Sequence, residues 1–285
     1  MFMTICALST GLGASGVAII RISGPETSFL IKSLTNKALP KPRVATLLEL
    51  NNINNNRPID QGIVLWFPGP KSYTGEDMAE LHVHGSKAVV KGLQETLLST
   101  KKCRMAEPGE FTKLAFLNGK INLLQAEAIG DLIAAETEIQ MEQAQNIIKG
   151  KSFLKFNDLR EKLIKVLSNI EAKIDFPDED LPSNVLDDVK RDVSIIEDEI
   201  KKILNSYEVG ERIRTGYKIA IVGPPNSGKS TLMNYLSKRN VAIVSDVAGT
   251  TRDVLQTNLN FYGYPVIISD TAGIRDSKDV IEKEG

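Results

Sequence analysis

The sequence predicts a multidomain protein of the α/β and α+β classes: a mixed α+β N-terminal block, a block of long helices, and the N-terminal half of a phosphate-loop α/β unit. Three observations carry this. Through Leu98, β-rich runs alternate with two helical stretches and glycine- or asparagine-dense turns. From Pro108 onward the apolar period changes to 3.6 and stays there over long distances. The stretch Gly223-Pro224-Pro225-Asn226-Ser227-Gly228-Lys229-Ser230 fits G-x-x-x-x-G-K-[ST], with an apolar run before it and an amphipathic one after it. The boundaries implied are 1–118, 119–215 and 216–285.

Thr4 to Ser9 and Val17 to Ser23 read as strands around the turn Gly11-Leu12-Gly13-Ala14-Ser15-Gly16. That turn is no dinucleotide fingerprint, because its spacing is wrong and a strand follows it. Pro25 to Leu34 reads as a helix, Ala45 to Leu50, Ile63 to Phe67 and Ala79 to His84 as strands, and Asn51 to Asn56 as an exposed turn. Ser86 to Leu98 is a helix with Ser86 as its cap. His82 and His84 point to one side of their strand, yet two histidines with only Glu80 nearby are a thin ligand set, and they read as partly buried strand residues.

Phe111, Leu114 and Ala115, then Leu123 to Ile133, Ile139 to Lys149 and Phe153 to Ile174, form helical faces. Two prolines in Phe176 to Pro182 break the pattern, with the acidic residues there read as a solvated turn. Val185 to Tyr207 resumes as a charged amphipathic helix, and Gly210 to Gly216 reads as a short linker.

Composition narrows the functional classes. The 285 residues carry a net charge of -1, so no global basic field draws the chain to nucleic acid. Cys6 and Cys103 are distant in sequence with no paired spacing, which argues against a disulfide framework or zinc site and for a reducing cytosol. No apolar run is long enough to span a membrane and no secretory leader is evident, so a cytoplasmic location without membrane association is expected.

The glycines of the 223–230 loop let several backbone N–H groups converge on one anion. Ser227, Gly228, Lys229, Ser230 and Thr231 would cradle the phosphates, with Lys229 meeting the β and γ groups and the Ser230 hydroxyl taking Mg2+. A second magnesium ligand must come from a loop able to sense the γ-phosphate; Asp246-Val247-Ala248-Gly249-Thr250-Thr251-Arg252-Asp253 suits this, with Thr251 the candidate. Two paired strands, Leu255 to Phe261 and Pro265 to Ser269, lead to Asp270-Thr271-Ala272-Gly273, where Asp270 would hold magnesium through water and the Gly273 N–H would meet the γ-phosphate. Three motifs in this order point to a GTPase of the Ras-like superclass. Ile274 stands where small GTPases carry a water-orienting glutamine, and Glu282 in the same loop is the substitute, or else an ordinary surface carboxylate.

The chain is identified as similar to one family, the bacterial tRNA modification GTPases called MnmE or TrmE. The resemblance runs through Gly16-Val17-Ala18-Ile19-Ile20-Arg21-Ile22-Ser23-Gly24-Pro25, Ser72-Tyr73-Thr74-Gly75-Glu76-Asp77, Glu80-Leu81-His82-Val83-His84-Gly85, Ala106-Glu107-Pro108-Gly109-Glu110-Phe111-Thr112, Leu124-Gln125-Ala126-Glu127-Ala128 and the phosphate-loop unit. It implies an N-terminal folate-binding and dimerisation domain, a helical domain and a G domain. It carries contacts to 5-formyltetrahydrofolate, or a related one-carbon folate, onto Arg21, Glu80 and Lys120. It places K+ on Asn226, Ser245, Val247 and Thr250, Ser245 and Thr250 beside the GTP as well, with Thr271 and Ala272 in the nucleotide site and Glu282 orienting water. It further implies a homodimer, a heterotetramer with the flavoprotein MnmG (GidA), and tRNA wobble-uridine modification.

The chain ends before any Asn-Lys-x-Asp segment that would read guanine, so roughly half of a G domain of ~100 or more residues is expected here. Two departures from the family are also expected to matter: its C-terminal Cys-x-Gly-Lys motif is absent, and so is the returning half of the helical domain. The long helices from Leu123 to Tyr207 are therefore expected to show apolar faces to solvent. The alternatives are a truncated, non-catalytic folate-binding dimerisation module with an incomplete G domain, and a phosphate-loop ATPase of broad specificity.

Overall fold

The computed structural model describes residues 3–11, 13–175, 185–224, 227–239, 242–243 and 255–270. The chain divides into two compact units, Met1–Ala126 and Glu127–Gly285.

In the first unit alternating side chains build a six-stranded sheet from β1 (Thr4–Leu8), β2 (Ser15–Ser23), β3 (Thr46–Asn51), β4 (Pro58–Phe67), β5 (Met78–Gly85) and β6 (Cys103–Met105), in the order β3-β4-β5-β2-β1-β6. Its neighbouring strands run antiparallel, except that β6 runs parallel to β1. Ile20 and Ile22 of β2, Leu48 and Leu50 of β3, Val64 and Trp66 of β4, and Leu81 and Val83 of β5 occupy one face, where α1 (Thr27–Thr35) and α2 (Lys87–Ser99) cover them. Leu30, Ile31 and Leu34 from α1 and Leu93 and Leu97 from α2 complete this core, each fully buried. The Ser86 hydroxyl accepts from the Val89 N–H at 3.1 Å, so the sequence-predicted cap starts α2.

Period two puts the intervening residues on the opposite face. Arg21 stands directly across from Glu80, which stands across from Leu65; Ile19, His82 and Ile63 form the neighbouring row. A short helix, α3 (Glu110–Leu117), follows β6.

Asn51 is not a turn residue: it ends β3 and is buried. The cysteines are neighbours in space. Though 97 residues apart, Cys6 and Cys103 are free thiols within 3.9 Å of one another in the core, because β6 returns beside β1. The Cys6–Cys103 hydrogen bond and burial together hold the Cys6 thiol far above its ordinary range.

Beyond α4 (Leu123–Ala134), the second unit holds α5 (Glu138–Ile148), α6 (Lys151–Asp175) and α7 (Val185–Thr215). Thr137 and Gln140 close a capping box at α5, Thr137 Oγ1 accepting from the Gln140 N–H and Gln140 Oε1 from the Thr137 N–H. Leu159 and Val166 of α6 meet Val189 and Ile196 of α7, a seam with seven-residue spacing. Lys162 bonds Glu199 at 2.7 Å while Lys165 pairs with Asp192 at 3.8 Å, so the two helices are antiparallel. The expected linker at 210–216 is not one: α7 continues to Thr215, with Gln143 Nε2 donating to the Gly210 carbonyl, and the chain turns at Gly216 alone.

A second sheet has the order β7-β10-β9-β8, built from β7 (Tyr217–Ile221), β8 (Ala242–Ile243), β9 (Leu255–Phe261) and β10 (Tyr264–Asp270). β10 runs parallel to β7 and antiparallel to β9, and α8 (Lys229–Arg239) follows the phosphate-loop sequence. The acidic segment 176–182 lies outside the described residues. Among the described residues no helix is long and apolar enough to cross a membrane.

Candidate functional site

Two clusters gather sequence-predicted site residues, one in each unit. In the first unit the cross-strand register of β2 and β5 brings Arg21 and Glu80 together: Nε and Nη2 of Arg21 donate to Glu80 Oε1 at 3.1 and 2.8 Å. His82 Nε2 approaches the other carboxylate oxygen, Oε2, at 3.3 Å. The Arg21 guanidinium also faces the rings of Tyr73 and Phe111, 5.7 and 5.6 Å from their centroids, an arrangement that favours a cation electrostatically.

Tyr73 belongs to the 68–77 loop, which residues of α3 and just after it hold in place. Lys120 Nζ donates to the Pro70 carbonyl at 2.9 Å, Asn118 Nδ2 to the Thr74 carbonyl at 2.7 Å, and the Tyr73 hydroxyl meets Thr112 Oγ1 at 2.9 Å. Gly75 has φ of +83°, and a Cβ there would stand 3.1 Å from Asn118 Cβ, so the closure admits only glycine comfortably. Thus Arg21 and Glu80 are in direct contact, and Lys120 joins them through the loop that carries Tyr73. Sequence reasoning did not single out Tyr73 or Phe111 as site residues; both lie inside stretches that carry the family resemblance, and that was the available signal.

His84, by contrast, is drawn to Asp60: its ring Nδ1 lies 2.9 Å from Oδ1 and its backbone N–H donates to Oδ2 at 2.8 Å. Burial pushes the Asp60 carboxyl up, and the hydrogen bonds from His84 and the Gln61 N–H outweigh it and hold it below the ordinary range. The two histidines therefore serve different carboxylates.

The second cluster lies where β7 runs into α8. Gly228, at φ +87°, makes the turn that an L side chain resists, and its carbonyl accepts from the Leu232 N–H at 2.9 Å in the first turn of α8. Lys229 Nζ folds back onto the loop and donates to the Gly223 and Pro224 carbonyls at 3.0 Å each. Ser230 and Thr231 stand in that first helical turn, where backbone N–H groups and the helix dipole favour an anion. Asp270 ends β10 beside Ile221, the last residue of β7, so its backbone sits at the strand end leading into the loop. Asn226, Ser245, Val247, Thr250, Thr251, Thr271, Ala272, Gly273 and Glu282 lie outside the described residues.

A family profile described as GTP-binding protein TrmE N-terminus matches residues 4–120, and one described as MnmE helical domain matches residues 123–284, more than half of the chain. The chain belongs to the MnmE (TrmE) family. It is 65% identical over 283 residues to the tRNA modification GTPase MnmE of Pelagibacter ubique (strain HTCC1062). It is 48% identical to the MnmE of Rickettsia prowazekii (strain Madrid E) and 47% to that of Rickettsia typhi (strain ATCC VR-144 / Wilmington). These alignments cover 99% of the chain and 64% of each relative, so the chain spans under two thirds of the length of these MnmE proteins.

Proposed function

We propose that this protein binds and hydrolyses GTP in the modification of the tRNA wobble uridine, U34. In this reading it works as a homodimer with a flavoprotein partner of the MnmG (GidA) type, in a cytoplasmic heterotetramer, to install a carboxymethylaminomethyl-type group. The observation that carries the proposal is the phosphate-loop turn between β7 and α8, with Lys229 at the helix start and Asp270 on the neighbouring strand, in a chain whose relatives are named tRNA modification GTPases. In the same reading residues 1–118 bind folate and dimerise, 119–215 belong to the helical domain and 216–285 to a G domain.

The donor set suits the ions. Ser230 and Asp270 offer the hard oxygen atoms magnesium prefers, with Thr251 a further ligand, and Asn226, Ser245, Val247 and Thr250 are the residues assigned to potassium. Bound Mg2+ and K+ would supply positive charge against the phosphates, the work an arginine finger does elsewhere. For its own part the chain contributes Lys229, whose ammonium must exchange the Gly223 and Pro224 carbonyls for phosphate oxygens, and Glu282, which would orient the attacking water in place of the glutamine that Ile274 replaces. In the first unit Glu80 would accept from the amino and ring N–H groups of a pterin, with Arg21 and Lys120 beside it.

The deciding measurement is GTP turnover by the full-length gene product in potassium and in sodium. Turnover more than about tenfold faster in potassium is expected, since removing one charge-stabilising group from such a site typically costs ~10²–10³ in rate. Equal rates would remove the potassium mechanism, and no turnover in either salt would remove the GTPase reading.

A further inference from the structure

The Glu80 carboxylate has about four lone-pair positions, and the chain itself occupies them unevenly. Both Arg21 donors converge on Oε1, at 3.1 and 2.8 Å. This is not the two-oxygen fork that would fix the plane of a carboxylate. Arg21 cannot readily shift to make that fork, because its guanidinium also meets Tyr73 and Phe111. The second oxygen, Oε2, has His82 Nε2 at 3.3 Å.

His82 is well placed for that task. It is directly opposite Ile19 of β2 and Ile63 of β4, so its ring rises between two apolar neighbours. Its side chain is 27% exposed and that of Glu80 16%, so the contact is shielded from full competition by water. The other histidine on the strand, His84, is committed to Asp60 and does not compete. With Glu80 ionised, His82 must carry its proton on Nε2 to make the contact, and therefore acts as a donor.

We infer that His82 is a positioning residue: together with Arg21 it fixes the plane of the Glu80 carboxylate so that the lone pair left on Oε2 receives an N–H donor of a pterin-type ring. The inference rests on the folate reading of this site and deepens it. A carboxylate held at one oxygen rotates about its terminal torsion and must be ordered on binding; held at both, it is already in place. His82 thus raises affinity without touching the ligand.

The test is calorimetric titration of the full-length protein with 5-formyltetrahydrofolate, comparing wild type with His82→Leu, which keeps the apolar packing and removes the donor, and His82→Gln, which restores an N–H donor. His82→Leu is expected to bind about tenfold more weakly, the scale of one hydrogen bond to a charged group, and His82→Gln within about twofold of wild type. Thermal melting should be nearly the same for all three, and His82→Met replaces the leucine variant should that one melt early. Wild-type affinity in the donor-less variant overturns the inference, as does an equal loss in His82→Gln, which would show that ring shape and not the donated proton matters. Absence of folate binding by the wild type defeats the folate reading itself and the inference with it.

Discussion

The core beneath the six-stranded sheet and the seam between α6 and α7 are made from the same aliphatic residue types, yet they close to different degrees. Under the sheet, Ile20, Ile22, Leu30, Leu81, Leu93 and Leu97 are fully buried, since alternate residues of several strands face two helices at once. Between α6 and α7, Leu159, Val166, Val189 and Ile196 form one narrow stripe, while Leu154, Leu163, Leu167, Leu186 and Leu204 stay exposed. Geometry accounts for the contrast. A pleated sheet sends every second residue to one side, whereas a two-helix pair buries only the positions at its seam. This bears out the apolar faces expected from the sequence.

The contrast can be broken at its strongest point first. Leu81→Ala, in a site walled on all sides, should cost about 3 kcal/mol, read from denaturant unfolding of the first unit. Leu159→Ala should cost less, about 1–2 kcal/mol, because the flank of a two-helix seam can relax and admit water. A similar cost for both would mean the seam is as tightly enclosed as the sheet core.

Acid should distinguish the regions next. Arg104 donates from Nη1 to Glu110 Oε2 at 2.9 Å and from Nη2 to Oε1, and these bonds hold the Glu110 carboxyl below the ordinary glutamate range. The folded chain therefore keeps this charge to lower pH than the unfolded chain does. The stabilisation is complete above the unfolded value near ~4.3 and is lost as pH falls through the lowered folded value. Glu110→Gln should flatten that part of the acid-stability curve by about 1 kcal/mol; an unaltered curve would show that the pair contributes nothing. The smallest effect on stability belongs to Leu154→Glu with Leu204→Glu on the helices. Both side chains are exposed, so stability should move by no more than about 0.5 kcal/mol while sedimentation velocity shows reduced self-association.

Much of the architecture was legible because apolar periodicity and turn chemistry are local signals. The helix opened by Ser86, the β9–β10 pair joined at Tyr262-Gly263, and the strand-loop-helix around Gly223 to Lys229 all follow from residues close in sequence. What escaped depends on distant partners. β6 has three residues and exists because β1 offers it an edge; the first half of β4 is polar, yet it pairs with β3. Gly210 looks like a linker residue, but a bond from Gln143 to its carbonyl holds it within α7. At the candidate folate site Arg21 and Glu80 are 59 positions apart, and only the β2–β5 register makes them partners. The aromatic rings around Arg21 come from a loop and a helix that no periodicity links to β2.

The parallel pairing of β6 with β1 has a consequence in time. The edge of β1 that β6 covers is made well before its partner, Cys103–Met105, which is the last strand of its sheet to be translated. At ~5–20 residues per second the nascent chain leaves the ribosome over several seconds before that partner can arrive. During that interval one row of backbone donors and acceptors on β1 has only water, or another nascent chain, to pair with. Crowding of ribosomes on a single message would therefore test this protein's folding at its first strand.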